Sequence, residues 1–248
     1  MSDQLIYGIH AVSALVKNPH RIIKVLFVNQ ERMDKKVQDL LVLAQEANVP
    51  VEPLNTQKMQ QRFADFNHQG IVACAQSLPD YGEAHLIPLL QACKKPALIL
   101  LLDGLTDTHN LGACLRSADA AGVDFVVIPK DKSASITPVV SKVASGAAES
   151  VPLVRVTNLA RAMTLLKNEG VWIYGAAGEA SETLYAMDCA IPIAIAMGAE
   201  GDGLRRLTRE HCDALFALPM LGTVSSLNVS VATGISLYEV VRQRLIGR

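Results

Sequence analysis

Short apolar segments recur from about residue 97 onwards, and polar residues do not alternate with the apolar ones along them. Strands without such alternation are buried on both faces, which is typical of a parallel sheet covered by helices. The segments span residues 97–103, 124–129, 151–156, 171–177, 192–198 and 214–219. Helical spacing of apolar residues occupies the intervals between them and the last stretch, 228–244. Repeated strand–helix units of this kind predict an α/β domain.

The first 75 residues have their own alternation of helical and strand patterns, which predicts a small α/β unit. The predicted helices span 8–18 and 34–48 and a third begins at 56, and the predicted strands span 22–29, 49–55 and 68–76. Thr56 is the expected N-cap of the third helix. Pro79 and Gly82 then interrupt the pattern. We therefore predict an N-terminal domain over 1–76, a linker with a first helix over 77–96, and a second domain over 97–248.

Composition narrows the class of protein. Half of the 248 residues are apolar and the net charge is −1, so an RNA partner would need a local basic patch. No apolar run reaches the roughly 20 residues of a membrane span, and the chain begins without a signal-peptide pattern. The five cysteines form no CxxC pair and have no histidine at ligand spacing. We expect a cytoplasmic protein with reduced thiols, no metal and no membrane contact.

Three loops rich in small and polar residues follow predicted strands, at 103–124, 196–204 and 218–232. Because open α/β sheets bind ligands at the carboxyl ends of their strands, these loops are expected to form a site. The glycines of the second loop have GxxGxG spacing, whereas dinucleotide-binding proteins have GxGxxG. No phosphate-binding GxxxxGK[ST] motif occurs either. A nicotinamide-dependent oxidoreductase is therefore a weak alternative.

Asn110 and Arg116 open the helix predicted within the first of these segments, right after the apolar run 97–103, and small residues follow them. Small residues let a helix pack tightly between neighbours, but they would be equally at home in an ordinary core helix. A role as an ordinary core helix does not explain the amide of Asn110 and the guanidinium of Arg116 at the end of the helix where ligands are expected to bind. Asn110 could also serve as the helix cap.

Together, the segments NLGACLR with SADAAGV, MGAEGDGL, and LPMLGTVSSLNVSVATGISLYEVVRQR resemble the three motifs of the SpoU branch of the SPOUT RNA methyltransferases. The resemblance runs without a break over about 97–244. The N-terminal part resembles the ribosomal-protein-like RNA-binding domain of the members that act on ribosomal RNA. The resemblance implies a parallel-sheet domain tied in a deep trefoil knot. Pattern reasoning alone would exclude that topology, since knots are nearly absent from proteins.

The resemblance implies an activity and partners as well. The expected reaction transfers a methyl group from S-adenosylmethionine (SAM) to the ribose 2′-hydroxyl of a guanosine in the peptidyl-transferase region of 23S rRNA. A homodimer through the C-terminal domain is expected, with an active site that takes groups from both subunits. The last helix has Ser226, Ser230 and Gly234 at intervals of four, which permits close helix packing between or within chains.

Eight residues match the functional positions of the family. The expected catalytic residues are Asn110, Arg116, Glu200, Ser226 and Asn228, and the expected SAM-binding residues are Gly198, Leu218 and Leu227. Since a guanidinium stays protonated in proteins, Arg116 is expected to hold a phosphate and stabilise charge on the ribose oxygen. Glu200 could orient Arg116 or Asn110. Ser226 and Asn228 could equally cap the last helix, and the two leucines could be core residues.

Several alternatives stay open. The substrate could be another rRNA or tRNA nucleotide, including an adenosine, or the chain could be a non-catalytic ribosome-assembly factor. Retention of all five catalytic residues argues against the assembly factor. The candidate RNA contacts are Lys17, His20, Arg21, Lys24, Lys130 and Lys132, each of which could also be a solvated charge. Because only 4% of residues are aromatic, phosphate contacts are expected rather than base stacking.

Overall fold

The structure is a computed structural model that describes residues 3–18, 21–32, 34–64, 68–76 and 81–247. Its internal contacts divide the chain into two compact units. The first comprises Met1–Pro79 with Ile136–Ser150, and the second comprises Asp80–Ser135 with Val151–Arg248. The start of the predicted linker, 77–80, lies outside the described residues. The domain boundaries at 76 and 97 stay a prediction.

Strands and helices alternate through both units. In the described residues the strands are β1 (Asp3–Tyr7), β2 (Ile23–Asn29), β3 (Val51–Leu54), β4 (Ile71–Gln76), β5 (Tyr81–Gly82), β6 (Leu98–Asp103), β7 (Phe125–Pro129), β8 (Leu153–Val156), β9 (Trp172–Ala176), β10 (Ile193–Gly198) and β11 (Ala214–Phe216). The helices are α1 (Ile9–Lys17), α2 (Lys35–Glu46), α3 (Thr56–Phe63), α4 (Leu86–Gln91), α5 (Thr108–Ala121), α6 (Pro138–Val143), α7 (Ala147–Ser150), α8 (Leu159–Asn168), α9 (Arg206–His211) and α10 (Val229–Ile246).

A four-stranded sheet of order β1-β4-β2-β3 forms the centre of the first unit. Successive residues of β2 point to opposite faces, where Leu26 and Val28 join one buried cluster and Phe27 joins another. Helices α1 and α2 cover the first face, and α3 covers the second. The sequence analysis predicted no strand before α1, so β1 is an addition from the structure. It pairs antiparallel with β4.

The N-cap predicted for α3 is wrong by one residue. Asn55 caps the helix, because its side chain accepts a hydrogen bond of 2.8 Å from the backbone N–H of Lys58. Thr56 is the first helical residue, and its hydroxyl donates to the carboxylate of Glu31 at 2.6 Å. Both residues are good capping types, so only the backbone geometry separates them.

The segment 136–150 packs within the first unit and forms two helices, although the apolar pattern predicted one helical stretch between the strands at 124–129 and 151–156. The break lies at Ser145 and Gly146, whose φ angles are +52° and +104°. A Cβ added to Gly146 would lie 2.3 Å from the Cβ of Ala14, so α1 approaches the backbone closely there. A tertiary contact therefore ends the helix, and it is invisible in local sequence pattern.

Arg21 is buried, which makes the prediction that it contacts RNA wrong. Its side chain is 3% exposed, and its Nε lies 2.8 Å from a carboxylate oxygen of Glu149 in α7. Burial raises the pKa of Glu149, and the neighbouring guanidinium opposes that rise. Lys24 forms an exposed ion pair with Asp3, and His20 lies outside the described residues.

The second unit is built on a seven-stranded sheet of order β11-β9-β10-β6-β7-β8-β5, in which every recorded pairing is parallel. The predicted buried parallel sheet is confirmed. Every residue of β6 is buried, as the absence of polar alternation indicated. The carboxyl ends of β6, β9 and β10 lie side by side, so the loops that follow them meet at one edge of the sheet.

Helix α10 runs antiparallel to β6 and β10, and an arginine near its end holds it there. Arg244 donates hydrogen bonds to backbone carbonyls that precede the two strands. The acceptors are Pro96 (2.7 Å), Ala97 (2.9 Å), Cys189 (3.1 Å) and Ile191 (2.8 Å). The last turns of α10 are therefore fixed at the amino edge of the sheet, and its first residue lies at the carboxyl edge beside α5.

Candidate functional site

The loop after β6 turns into α5 and presents Asn110 in the first turn of that helix. Asp107 is the N-cap, since its carboxylate accepts a hydrogen bond of 2.7 Å from the backbone N–H of Asn110. The suggestion that Asn110 caps the helix is therefore wrong. With Asp107 in that position, the side-chain amide of Asn110 is available for other contacts.

The amide of Asn110 connects the three predicted loops. Its Nδ2 donates to the carboxylate of Glu200 at 3.2 Å, and its Oδ1 accepts from Nδ2 of Asn228 at 3.0 Å. Asn228 in turn caps α10, accepting from the backbone N–H of Ser230 at 2.9 Å and from its hydroxyl at 2.6 Å. The hydrogen bonds all run in one direction towards the Glu200 carboxylate. Helix capping by Asn228 and membership of this cluster are thus compatible.

Gly198 ends β10 at a point where the chain folds back on itself. Ala199 and Gly203 exchange two backbone hydrogen bonds, of 3.0 and 3.1 Å, which closes the loop that presents Glu200. A Cβ on Gly198 would lie 2.0 Å from the carbonyl carbon of Gly203 and 2.2 Å from the backbone nitrogen of Leu204. The absence of a side chain at Gly198 therefore lets the backbone of the following loop approach it closely.

A pocket of about 320 Å³ lies beside this loop. All three predicted SAM-binding residues line it, together with the predicted catalytic residues Glu200 and Ser226. Apolar walls come from Met197, Phe216, Leu218 and Leu227. The volume is within the range of small-molecule sites. The two leucines are partly exposed to this pocket, so they are not simply core residues.

Arg116 lies apart from this cluster. It follows Asn110 by six residues on α5, or about 9 Å along the helix axis. Its side chain is exposed and, within the described part of the chain, makes no hydrogen bond or ion pair. Glu200 contacts Asn110 rather than Arg116. The structure thus brings together Asn110, Glu200 and Asn228, and leaves Arg116 open to solvent.

A fourth loop also contributes to the pocket, and the sequence analysis did not single it out. This loop lines the pocket with Ala176 at the end of β9 and with residues 177–179 after it, and its Glu179 forms an ion pair with Arg209. The sequence does contain one indication of this loop, which is its position. It lies at the carboxyl end of a predicted strand and contains the small residues Ala177 and Gly178.

The cysteines are free, and four of them are poor nucleophiles. Burial raises the pKa of Cys93, Cys114 and Cys189 to about 11 and that of Cys212 to about 12, so these thiols stay protonated near neutral pH. Across the described ranges, no group of three or more His, Cys, Asp or Glu residues could hold a metal ion. Among the same residues, no helix is both long and apolar enough to cross a membrane.

Two family profiles match this chain. The SpoU rRNA Methylase family matches residues 97–238, and a family described as RNA 2′-O ribose methyltransferase substrate binding matches residues 5–81. The chain is similar to the 23S rRNA (guanosine-2′-O-)-methyltransferase RlmB of Haemophilus influenzae, with 53% identity over 99% of each chain. It is 52% identical to RlmB of Escherichia coli K12 over 98% of this chain and 99% of that relative.

A solved structure shares the fold. The SpoU methyltransferase AviRb from Streptomyces viridochromogenes, in complex with the cofactor AdoMet, matches with a TM-score of 0.82 at 23% identity. The match covers 99% of this chain and 92% of that chain.

Replacing Gly198 by alanine is expected to weaken SAM binding by at least about tenfold, a loss of about 1.4 kcal/mol, because the added methyl group must displace the backbone of the Glu200 loop. Gly178→Ala is the matched control, since a Cβ there meets no atom within 4 Å and the residue lines the same pocket. Isothermal titration calorimetry with SAM measures both. Equal affinity of the two variants for SAM would contradict the assignment of this pocket as the SAM-binding site.

Proposed function

The chain belongs to the SpoU family of SAM-dependent RNA methyltransferases, and we propose that it methylates the ribose 2′-hydroxyl of a guanosine in 23S rRNA. The relatives named above are similar to this chain over almost their full length, and their names support guanosine as the target nucleotide and 23S rRNA as the substrate. We place the guanosine in the peptidyl-transferase region on the resemblance of the whole chain. The observation that supports the chemistry most directly is the set of hydrogen bonds made by Asn110, which joins all three family motifs beside one pocket.

The pocket fits SAM in shape and charge. Phe216, Leu218 and Leu227 offer apolar surface that suits a flat adenine ring. Three carboxylates line the pocket, from Glu179, Glu200 and Asp202, against one guanidinium, that of Arg209, which is paired with Glu179. The excess of negative charge suits the positive charge of a sulfonium and an ammonium group. When bound, SAM supplies an electrophilic methyl group. The neutral walls and the carboxylates together favour a cationic adenosine derivative over the pyrophosphate of a dinucleotide.

Methyl transfer requires the ribose O2′ to be held in line with the methyl group while its hydroxyl proton is lost. Arg116 is exposed and without an internal partner among the described residues, so its guanidinium is free to grip a phosphate of the incoming RNA. Its fixed positive charge also stabilises the negative charge that grows on O2′. Arg116 thus acts as an electrostatic clamp, and its guanidinium does not need to take the proton.

The polar cluster positions the reacting groups. Asn110 and Asn228 hold each other and Glu200 in place, which gives the loops a defined arrangement before RNA arrives. Ser226 lines the pocket two residues before Asn228, so its hydroxyl is placed to contact the cofactor or the ribose. Preorganised dipoles of this kind lower the barrier because they need no rearrangement during the reaction.

The chain between β11 and α10 forms the last part of a trefoil knot in this proposal. β11 is an edge strand of the sheet, yet α10 begins beside α5, which follows the central strand β6. The segment 217–228 therefore crosses the carboxyl ends of β9 and β10, next to the closed loop 198–204. Passage through that loop would bind both segments to one pocket.

A second copy of the chain completes the active site. Val231, Ile235 and Tyr238 are 50%, 37% and 52% exposed and recur on one side of α10, which makes an apolar stripe suited to a dimer interface. Gly234 instead faces Ser117 within the chain, so this small residue serves internal packing of α5 and α10. Since Arg116 does not line the pocket of its own chain, we assign it to the pocket of the partner.

The reaction is tested by methyl transfer from radiolabelled SAM to a 23S rRNA transcript, with the modified ribose mapped by resistance to alkaline cleavage. Wild-type protein is expected to label one guanosine, and Arg116→Ala is expected to lose more than about 100-fold in rate, as for removal of a charge that stabilises the transition state. Unchanged SAM affinity in the variant would locate the defect in catalysis. Label in tRNA alone, or in an adenosine, would overturn the proposed substrate.

Sharing of the site between subunits is tested with mixed dimers of Arg116→Ala and Gly198→Ala chains, at a SAM concentration well below the Kd of the Gly198→Ala chain for SAM. If Arg116 of one chain serves the SAM pocket of the other, each mixed dimer has one intact site. That site combines the SAM pocket of the Arg116→Ala chain with Arg116 of the Gly198→Ala chain. Activity of the mixture should then exceed that of either variant alone. If every chain uses its own arginine, the mixture stays as inactive as its components, and the shared site is excluded.

A further inference from the structure

A second pocket, of about 420 Å³, lies at the carboxyl ends of β6, β7 and β8. The functional site described above does not use it. Its polar lining includes Arg205, Arg206, Thr157 and Asn158, and its apolar lining includes Pro129 and Leu207. Two arginines and one acid, Asp103, are the charged residues among those that line it. The pocket is therefore apolar in part and has a positive rim.

The second pocket adjoins the SAM pocket. Asp103 of β6 pairs in register with Gly198 of β10, and adjacent strands lie about 4.8 Å apart. Gly198 lines the first pocket and Asp103 the second, and the successive residues Leu204 and Arg205 are divided in the same way. The two pockets are therefore neighbours at the same edge of the sheet.

The floor of the second pocket holds a buried carboxylate that fixes one of its arginines. Asp103 is 1% exposed, and its Oδ2 accepts from the backbone N–H of Arg205 at 2.9 Å. Its Oδ1 forms an ion pair with Nη1 of Arg205 at 3.4 Å. The two contacts hold Arg205 at the wall of the pocket, where the exposed part of its guanidinium can bind a phosphate.

Positive charge extends beyond the lining residues. Lys130 follows Pro129 directly and is exposed. Arg155 is next to it, because its guanidinium donates a hydrogen bond of 3.4 Å to the backbone carbonyl of Lys130. The side chain of Arg206 is 77% exposed and paired with Glu210 on the surface, a pairing that contributes little and can yield to a phosphate. The side chain of Arg205 is 47% exposed, with one face turned to Asp103. The four basic side chains of Lys130, Arg155, Arg205 and Arg206 together make this surface suitable for binding a polyanion such as RNA.

We propose that the second pocket binds an unpaired nucleotide of the substrate RNA next to the methylated ribose, with its base against Pro129 and Leu207 and its phosphate at Arg205 and Arg206. Enclosure of a base requires that the base be unstacked, which is how proteins recognise single-stranded RNA in a sequence-dependent manner. The inference rests on the proposed RNA substrate. It adds a site that selects the sequence or structure around the target.

The test uses the full-length protein with Arg206→Glu and Leu207→Ala, both at exposed positions. Lys94→Glu is the matched control, because Lys94 is exposed and lies before β6, at the opposite edge of the sheet. Arg205 is left intact, since its removal would leave Asp103 buried without a counter-charge. The measurements are the KM for a 23S rRNA fragment, kcat at saturating RNA, and the Kd of SAM by calorimetry.

Arg206→Glu is expected to raise the RNA KM about tenfold and to reduce the salt dependence of RNA binding by about one phosphate contact. Leu207→Ala should raise the KM by loss of the contact with the base instead, with the salt dependence unchanged because no charge is altered. The Kd of SAM should stay within about twofold in both, because neither residue lines the first pocket. A KM equal to that of Lys94→Glu in both variants would overturn the proposal.

Photo-cross-linking separates this inference from the proposed function. RNA with 4-thiouridine beside the target nucleotide should cross-link to peptides containing 157–160 or 205–208. Cross-links confined to other peptides would overturn the second site even if methylation proceeds normally. If the wild-type protein methylates no RNA, the proposed function fails, whereas cross-linking and RNA binding still report on the pocket.

Discussion

The side-chain amide of Asn110 is the contact on which the candidate site depends. Its two hydrogen bonds link residues 90 and 118 positions away along the chain, Glu200 and Asn228. Each bond is worth only about 1 kcal/mol in stability. Their consequence is geometric, because they join the start of α5, the loop after β10 and the start of α10 at one point. They are the side-chain contacts through which the three family motifs meet.

The fold supplies this point with rigid supports. β6 and β10 are buried side by side, so the loops at their carboxyl ends start from fixed positions. Arg244 fixes the far end of α10 to the amino ends of the same strands. The Gly198 turn then brings Glu200 back over the sheet edge at a spacing that no side chain on that glycine would allow. Function is thus concentrated in loops, and the parallel sheet determines where they meet.

Much of the fold could be predicted from hydrophobic pattern, because buried parallel strands are continuous apolar runs and leave little ambiguity. The errors occurred where tertiary contacts decide local structure. The close contact between Ala14 and Gly146 divides a predicted helix into α6 and α7. Arg21, predicted to be a surface contact for RNA, is instead buried in an ion pair with Glu149. β1 was missed because its five residues begin with polar side chains and owe their conformation to pairing with β4. Motif resemblance named the residues of the site, but the bonds of Asn110, the loop 176–179 and the second pocket depend on long-range packing.

The most direct test of this account is a crystal structure of the protein with SAM bound. The account predicts SAM in the pocket lined by Gly198, Leu218 and Leu227, its adenine against the apolar wall, with both hydrogen bonds of Asn110 intact and the methyl group facing the cluster of Asn110, Glu200 and Asn228. SAM bound at another edge of the sheet, or in this pocket with the Asn110 contacts broken and its methyl group turned away from the cluster, would contradict it.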